Sequence, residues 1–184
     1  MPTRHRLPVH SFAAALIAVC ALAAPASAFA QSAEAREVRP VPDYSAAALT
    51  AFFGDARGAY LHQEGPVRAQ MGAALGIPDG GDGKATRAWD LGDGRVLHTG
   101  CRQHSCMEKG AVVYDTATRA VLAAGMLHTR CAERAPAIAG CAQQPVLTVF
   151  LSATRAAPFQ ALSAIDDWAD EKSPGAEREV RTLR

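Results

Sequence analysis

The chain has 184 residues, the size of one ordinary domain with some sequence to spare. Its 19 Lys and Arg against 18 Asp and Glu give a formal net charge of +1. That balance excludes the basic footprint of a nucleic-acid binder and implies weak long-range steering toward charged partners.

Met1 to Ala30 reads as a secretory signal peptide. Arg4, His5 and Arg6 form a basic start, and Phe12 to Ala24 is an apolar run short for a bilayer span. Ala26-Ser27-Ala28 and Ala28-Phe29-Ala30 each offer a small-x-small cleavage pattern, and cleavage is expected before Gln31. An uncleaved anchor is disfavoured by the short apolar run, and lipidation at Cys20 by the bulky Val19. Loss of Arg4 and Arg6 leaves 17 basic against 18 acidic residues, a net charge of −1. No other segment approaches transmembrane length, so no membrane insertion is expected after cleavage. The expected location is the periplasm.

Gln31 to Asp43, with two prolines and no apolar periodicity, is expected to be a mobile leader. Ala46, Leu49, Phe52, Phe53 and Ala56 then fit one face of a helix from Ser45 to about Arg57, with Ser45 as its cap. A second short helix is expected from Pro66 to Leu75, with Pro66 in its first turn, Gly76 beyond its end, and Met71 and Leu75 on one face as core contacts. Asp79-Gly80-Gly81-Asp82-Gly83 lacks the ordered oxygen ligands and terminal Glu of a calcium loop and reads as a plain loop.

From Thr86 the pattern changes to strands. Thr86–Leu91, the turn Gly92-Asp93-Gly94 and Arg95–Gly100 read as a hairpin. Gly110–Asp115, a turn over Thr116–Arg119 and Ala120–Leu127 continue the meander, and Pro145–Ser152 has the length of a buried strand. Pro158 to about Ala169 should be helical, packing Phe159, Leu162, Ile165 and Trp168. The charged tail 171–184, with Pro174 and Gly175, should fray. The expected fold is α+β, an antiparallel sheet of about five strands with flanking helices, over residues 44–170.

Without Cys20, four cysteines remain: Cys101, Cys106, Cys131 and Cys141. An even count behind a signal peptide implies disulfides. Three pairings are open, and the local one, Cys101–Cys106 with Cys131–Cys141, is favoured. Bonded cysteines hold their Cα atoms about 5.5 Å apart, whereas an extended chain separates residues five apart by roughly 17 Å. Cys101-Arg102-Gln103-His104-Ser105-Cys106 must therefore fold back, with its four central side chains standing outward. So small a ring adds only about 2 kcal/mol of global stability; its larger benefit is a loop that loses little entropy on docking.

This segment resembles the Cys-Lys-Pro-His-Asp-Cys loop of the inhibitor of vertebrate lysozyme family, often called Ivy. The order of flanking elements is similar too: Leu91-Gly92-Asp93, a strand, Gly100-Cys101, then after the loop a strand ending in Tyr114, a turn and another strand. The resemblance covers Trp89 to about Ser152, roughly a third of the chain. It implies a non-enzymatic inhibitor without cofactor or metal, whose bridged loop plugs the cleft of a c-type lysozyme or of the cell's own lytic transglycosylase. By position His104 matches the family's inhibitory histidine, and Arg102 replaces its Lys as a cationic flank. Gln103 stands where the family has Pro, and Ser105 where it has Asp. Cys131 and Cys141 lie outside the motif and read as a staple for the connection before Pro145.

Other readings are weaker. Without the resemblance, His104 is an exposed histidine in a closed turn. A zinc site from Cys101, His104, Cys106, His128 and Cys131 is disfavoured by an oxidising location. A Cys–His nucleophile needs a free thiolate that pairing would consume. Asp166 and Asp167 adjoin on a helix, point apart and read as a solvated face. His98 and His128 suit strand ends and receive no role. An envelope binding module without inhibitory action is the remaining alternative, and the oligomeric state is left open, a homodimer included.

Overall fold

A computed structural model describes residues 36–38, 46–61, 64–77, 87–130 and 144–184. The expected signal peptide, most of the leader, the 79–83 loop, Ser45, Cys131 and Cys141 lie outside them. In chain order the elements are β1 (Arg36–Glu37), α1 (Ala46–Phe53), β2 (Arg57–Ala59), β3 (Glu64–Pro66), α2 (Val67–Ala74), β4 (Arg87–Gly92), β5 (Arg95–Arg102), β6 (Ser105–Asp115), β7 (Ala120–Arg130), β8 (Gln144–Ser152), α3 (Phe159–Lys172) and β9 (Glu177–Leu183).

The α+β class holds, but the sheet is larger than expected and not wholly antiparallel. Seven strands lie in the order β1-β4-β5-β6-β7-β8-β9, and β2 with β3 forms a separate small ribbon. The meander β4 to β8 is antiparallel because tight turns join β4 to β5, β5 to β6 and β6 to β7. Asp93 and Gly94 both take positive φ, 52° and 72°, as a two-residue hairpin turn matched to strand twist requires. After β8 the chain crosses through α3 and returns as β9, parallel to β8.

Two expected irregular segments are strands. Arg36 and Glu37, inside the expected leader, pair with Asp90 and Trp89. The tail expected to fray runs beside β8 from Glu177 to Leu183. Ion pairs replace an apolar pattern there: Arg178 reaches Asp166 at 3.2 Å and Asp170 at 2.6 Å on α3. On the other face, Arg130 meets both Glu177 and Glu179.

Both faces are buried over Gly110–Tyr114 of β6 and Val121–Leu127 of β7, so these stretches read as continuous apolar runs rather than alternating ones. One face packs Phe53, Met71, Val112, Met126 and Phe150 beneath α1 and α2. The other packs Leu97, Val113, Leu147, Ile165 and Trp168 beneath α3. Phe159, expected in that core, is 82% exposed. At 100° per residue it lies half a turn away from Trp168, on the solvent side of α3.

The hairpin β5–β6 is seated on α2 by a pair of glycines. Gly100 and Gly110 oppose each other in the ladder. A Cβ at Gly100 would stand 2.1 Å from the Leu75 carbonyl oxygen, and one at Gly110 would stand 3.0 Å from Leu75 Cγ. The backbone ending α2 thus occupies a notch that any side chain on Gly100 would fill.

Gly100→Ala should therefore lower unfolding free energy by roughly 2–4 kcal/mol in urea titrations. Gly72→Ala, inside α2 with nothing within 4 Å of the new methyl, should raise it by up to about 1 kcal/mol. Equal behaviour of the two variants would refute the notch.

Candidate functional site

The ring lies at the tip of the β5–β6 hairpin. Arg102 pairs with Ser105, leaving Gln103 and His104 as a two-residue turn. The register then jumps: Cys101 pairs with Lys109, so Cys106, Met107 and Glu108 have no opposite number on β5. This bulge turns Cys106 back to Cys101, to which it is disulfide-bonded with 4.9 Å between Cα atoms. The Lys109 ammonium donates to the Cys106 carbonyl at the base of the bulge.

The bulge decides what faces solvent. Gln103 and His104 are exposed, whereas Arg102 and Ser105 are partly covered, so two of the four central side chains stand fully outward rather than all four. Met107 is 62% exposed and adds an apolar side chain beside the ring. Glu108 is buried, and its Oε1 lies 3.6 Å from an Arg102 guanidinium nitrogen. Arg102, expected as a cationic flank, is partly covered and pairs with Glu108. Nothing in Cys-Met-Glu-Lys announces a three-residue bulge, so neither Met107 nor Glu108 stands out in the sequence.

His104 adopts φ +63°. Left-handed backbone is costly for a side chain with a Cβ, although histidine is among the residues that enter it more often. The conformation is held by the closure of the ring and the Arg102–Ser105 pair on either side, and it carries the imidazole at the apex of the turn.

Both histidines expected at strand ends are buried, His98 in mid-strand and His128 two residues from the end of β7. His98 is fully buried in the middle of β5, edge-on to the Tyr114 ring at 6.1 Å. His128 is buried on β7, edge-on to Tyr60, and its Nε2 shares a hydrogen bond of 2.8 Å with the Thr148 hydroxyl. Thr148 donates onward to Glu179, which Arg130 also holds. Burial holds the His98 imidazole well below its ordinary value of 6.5, at about 4. Burial also lowers His128, and the negative charge of Glu179 partly opposes it.

Of the remaining candidates, only the described residues can be placed. Cys101 and Cys106 are consumed by their bond. Among the described residues no three His, Cys, Asp or Glu side chains converge as metal ligands. Asp166 faces Arg178, while Asp167 accepts a bond from Ser163, so the adjacent carboxylates part as the helix geometry requires. No helix among the described residues is long and apolar enough to cross a membrane. No family model, curated protein or solved structure matches the chain in sequence or fold.

The buried imidazoles set an acid limit on stability. The unfolded chain binds a proton at His98 as the pH falls through about 6.5, and the folded chain does so only near 4. Stability present at neutral pH is therefore lost across that window, on the order of 3 kcal/mol in all for His98, with His128 acting in the same sense. Unfolding free energies in urea should fall between about pH 7 and about pH 4.5. His98→Leu should flatten that slope whatever it does to absolute stability, and an unchanged slope would acquit His98.

Proposed function

We propose that this protein is a periplasmic inhibitor of c-type lysozyme that plugs the enzyme's cleft with the Cys101–Cys106 ring and His104. The observation carrying this reading is the tip itself: a disulfide-closed two-residue turn with an exposed imidazole at its apex. Its likeness to the loop of the inhibitor of vertebrate lysozyme family supplies the target class.

The chemistry supports the pairing. Retaining glycosidases of the lysozyme type set two carboxyl groups about 5–5.5 Å apart across the bond they cleave. A narrow hairpin fits where a polysaccharide strand would run, and an imidazole has two nitrogens, each able to bond one carboxyl group. Hydrogen bonds to charged groups are worth about 1.5–3 kcal/mol each. Because the ring and bulge hold the backbone in its docking shape beforehand, little of that gain is lost to ordering. Met107 offers an apolar contact against the cleft wall, and Arg102 is left to brace Glu108 rather than to meet the target.

The test is clearance of peptidoglycan by c-type lysozyme with wild type, His104→Ala and His104→Gly. Wild type should slow clearance, and each variant should lose at least about tenfold in affinity, equal to about 1.4 kcal/mol. His104→Gly should meanwhile keep its stability or gain up to about 1 kcal/mol, because glycine relieves the left-handed backbone. Equal potency of wild type and variants would remove His104 from the mechanism. Verified reduction of the disulfide should also weaken inhibition. A wild type that spares lysozyme but blocks a lytic transglycosylase would move the target to the cell's own enzymes; one that binds neither would be an envelope binding module.

A further inference from the structure

At the end of the sheet opposite the ring, a cleft of about 320 Å³ opens between α1, the β6–β7 turn and the chain leaving β8. Ala51 and Phe52 of α1 form an apolar wall. Arg119 from the turn and Arg155 beyond β8 also line it, with Ser152 and Thr154. Among the described residues no Asp or Glu lines the cleft.

Among the described residues neither Arg119 nor Arg155 enters an ion pair or hydrogen bond, whereas Arg95, Arg130 and Arg178 around the same sheet each meet a carboxylate. The nearest acid along the turn, Asp115, is occupied by the Thr118 backbone N–H at 2.7 Å. The hydroxyls leave a donor over as well. Ser152 Oγ accepts the Thr154 N–H at 3.2 Å and lies 3.0 Å from Thr154 Oγ1. Whichever hydroxyl donates across that gap, the hydrogen of the other stays available. Arg119 also holds a left-handed φ of +55°, unusual for a side chain of this size.

We propose that this cleft binds a small carboxylate with an apolar body, its anionic end between Arg119 and Arg155 and its hydrocarbon against Ala51 and Phe52. Two cations without an acid select an anion, and planar guanidinium groups match a carboxylate in two-pronged fashion. The apolar wall would gain nothing from an inorganic anion. The volume lies at the small end of the range for small-molecule sites, roughly 300–1,000 Å³, too little for a polymer.

Titration of the exported protein with hexanoate, followed by backbone amide NMR shifts, tests the site. Saturable shifts should centre on Ala51, Arg119 and Thr154. Arg119→Gln and Arg155→Gln, both at exposed positions that the fold does not need, should each weaken hexanoate about tenfold. Hexanol and inorganic phosphate should each bind at least about tenfold more weakly than hexanoate. No saturation, equal binding of hexanol, equal binding of phosphate, or indifference to both arginine substitutions would overturn the proposal. His104→Ala, at the far end of the sheet, should bind hexanoate like wild type, so the outcome is independent of lysozyme inhibition.

Discussion

The hairpin that carries the ring is one of the longest elements of the sheet, and its direction depends on a close approach of two backbones. Leu75, at the end of α2, lies against Gly100 and Gly110 with no room for a methyl group at Gly100. Close packing of this kind cannot slide by a fraction of a residue without a clash, because protein interiors have little free volume. The seat therefore holds β5 and β6 just below the point where the register jumps and the ring begins. A hairpin free on both faces at this level would pivot, and a pivoting tip would lose the entropic benefit of its own disulfide.

Above the seat, order is built from constraints of different kinds that agree. The disulfide brings Cys106 back to Cys101. The bulge of Cys106, Met107 and Glu108 provides the slack that allows it. The ion pair from Arg102 to buried Glu108 ties one arm of the turn to the body below. Burial of a carboxylate is costly unless a partner compensates it, so this pair fixes geometry more than it adds stability. The exposed residues around the ring are few: Gln103, His104, Cys106 and Met107.

The same sheet treats its two ends differently. At the ring end, polar groups are linked into a chain from His128 through Thr148 to Glu179 and Arg130, and each finds a partner within the fold. At the far end, two arginines and a pair of hydroxyls line a cleft with no acid among the described residues. Satisfied polar groups lend rigidity, while unsatisfied ones at a concave surface are where ligands gain most. The two ends are separated by strand segments that are buried on both faces.

Much of this was legible in the residues. The meander from Arg87 to Asp115, the two short helices and α3 follow from apolar periodicity and turn chemistry, which act over a few neighbours. The closed ring of Cys101 and Cys106 was expected from two cysteines five apart behind an expected signal peptide. Other features depend on groups far apart in sequence. Nothing local to Glu177–Leu183 marks a strand, because its partners, Arg130 and the acids of α3, are supplied by the fold. Nothing local separates an outward Arg102 from one drawn to Glu108, or a surface His98 from a buried one. The amino-acid sequence by itself determined which segments could be helix, strand or ring, since those depend on short-range sterics and covalent reach. Only the tertiary structure decided which side chains face water and which face one another, since burial and charge pairing are properties of packed surfaces rather than of neighbours along the chain.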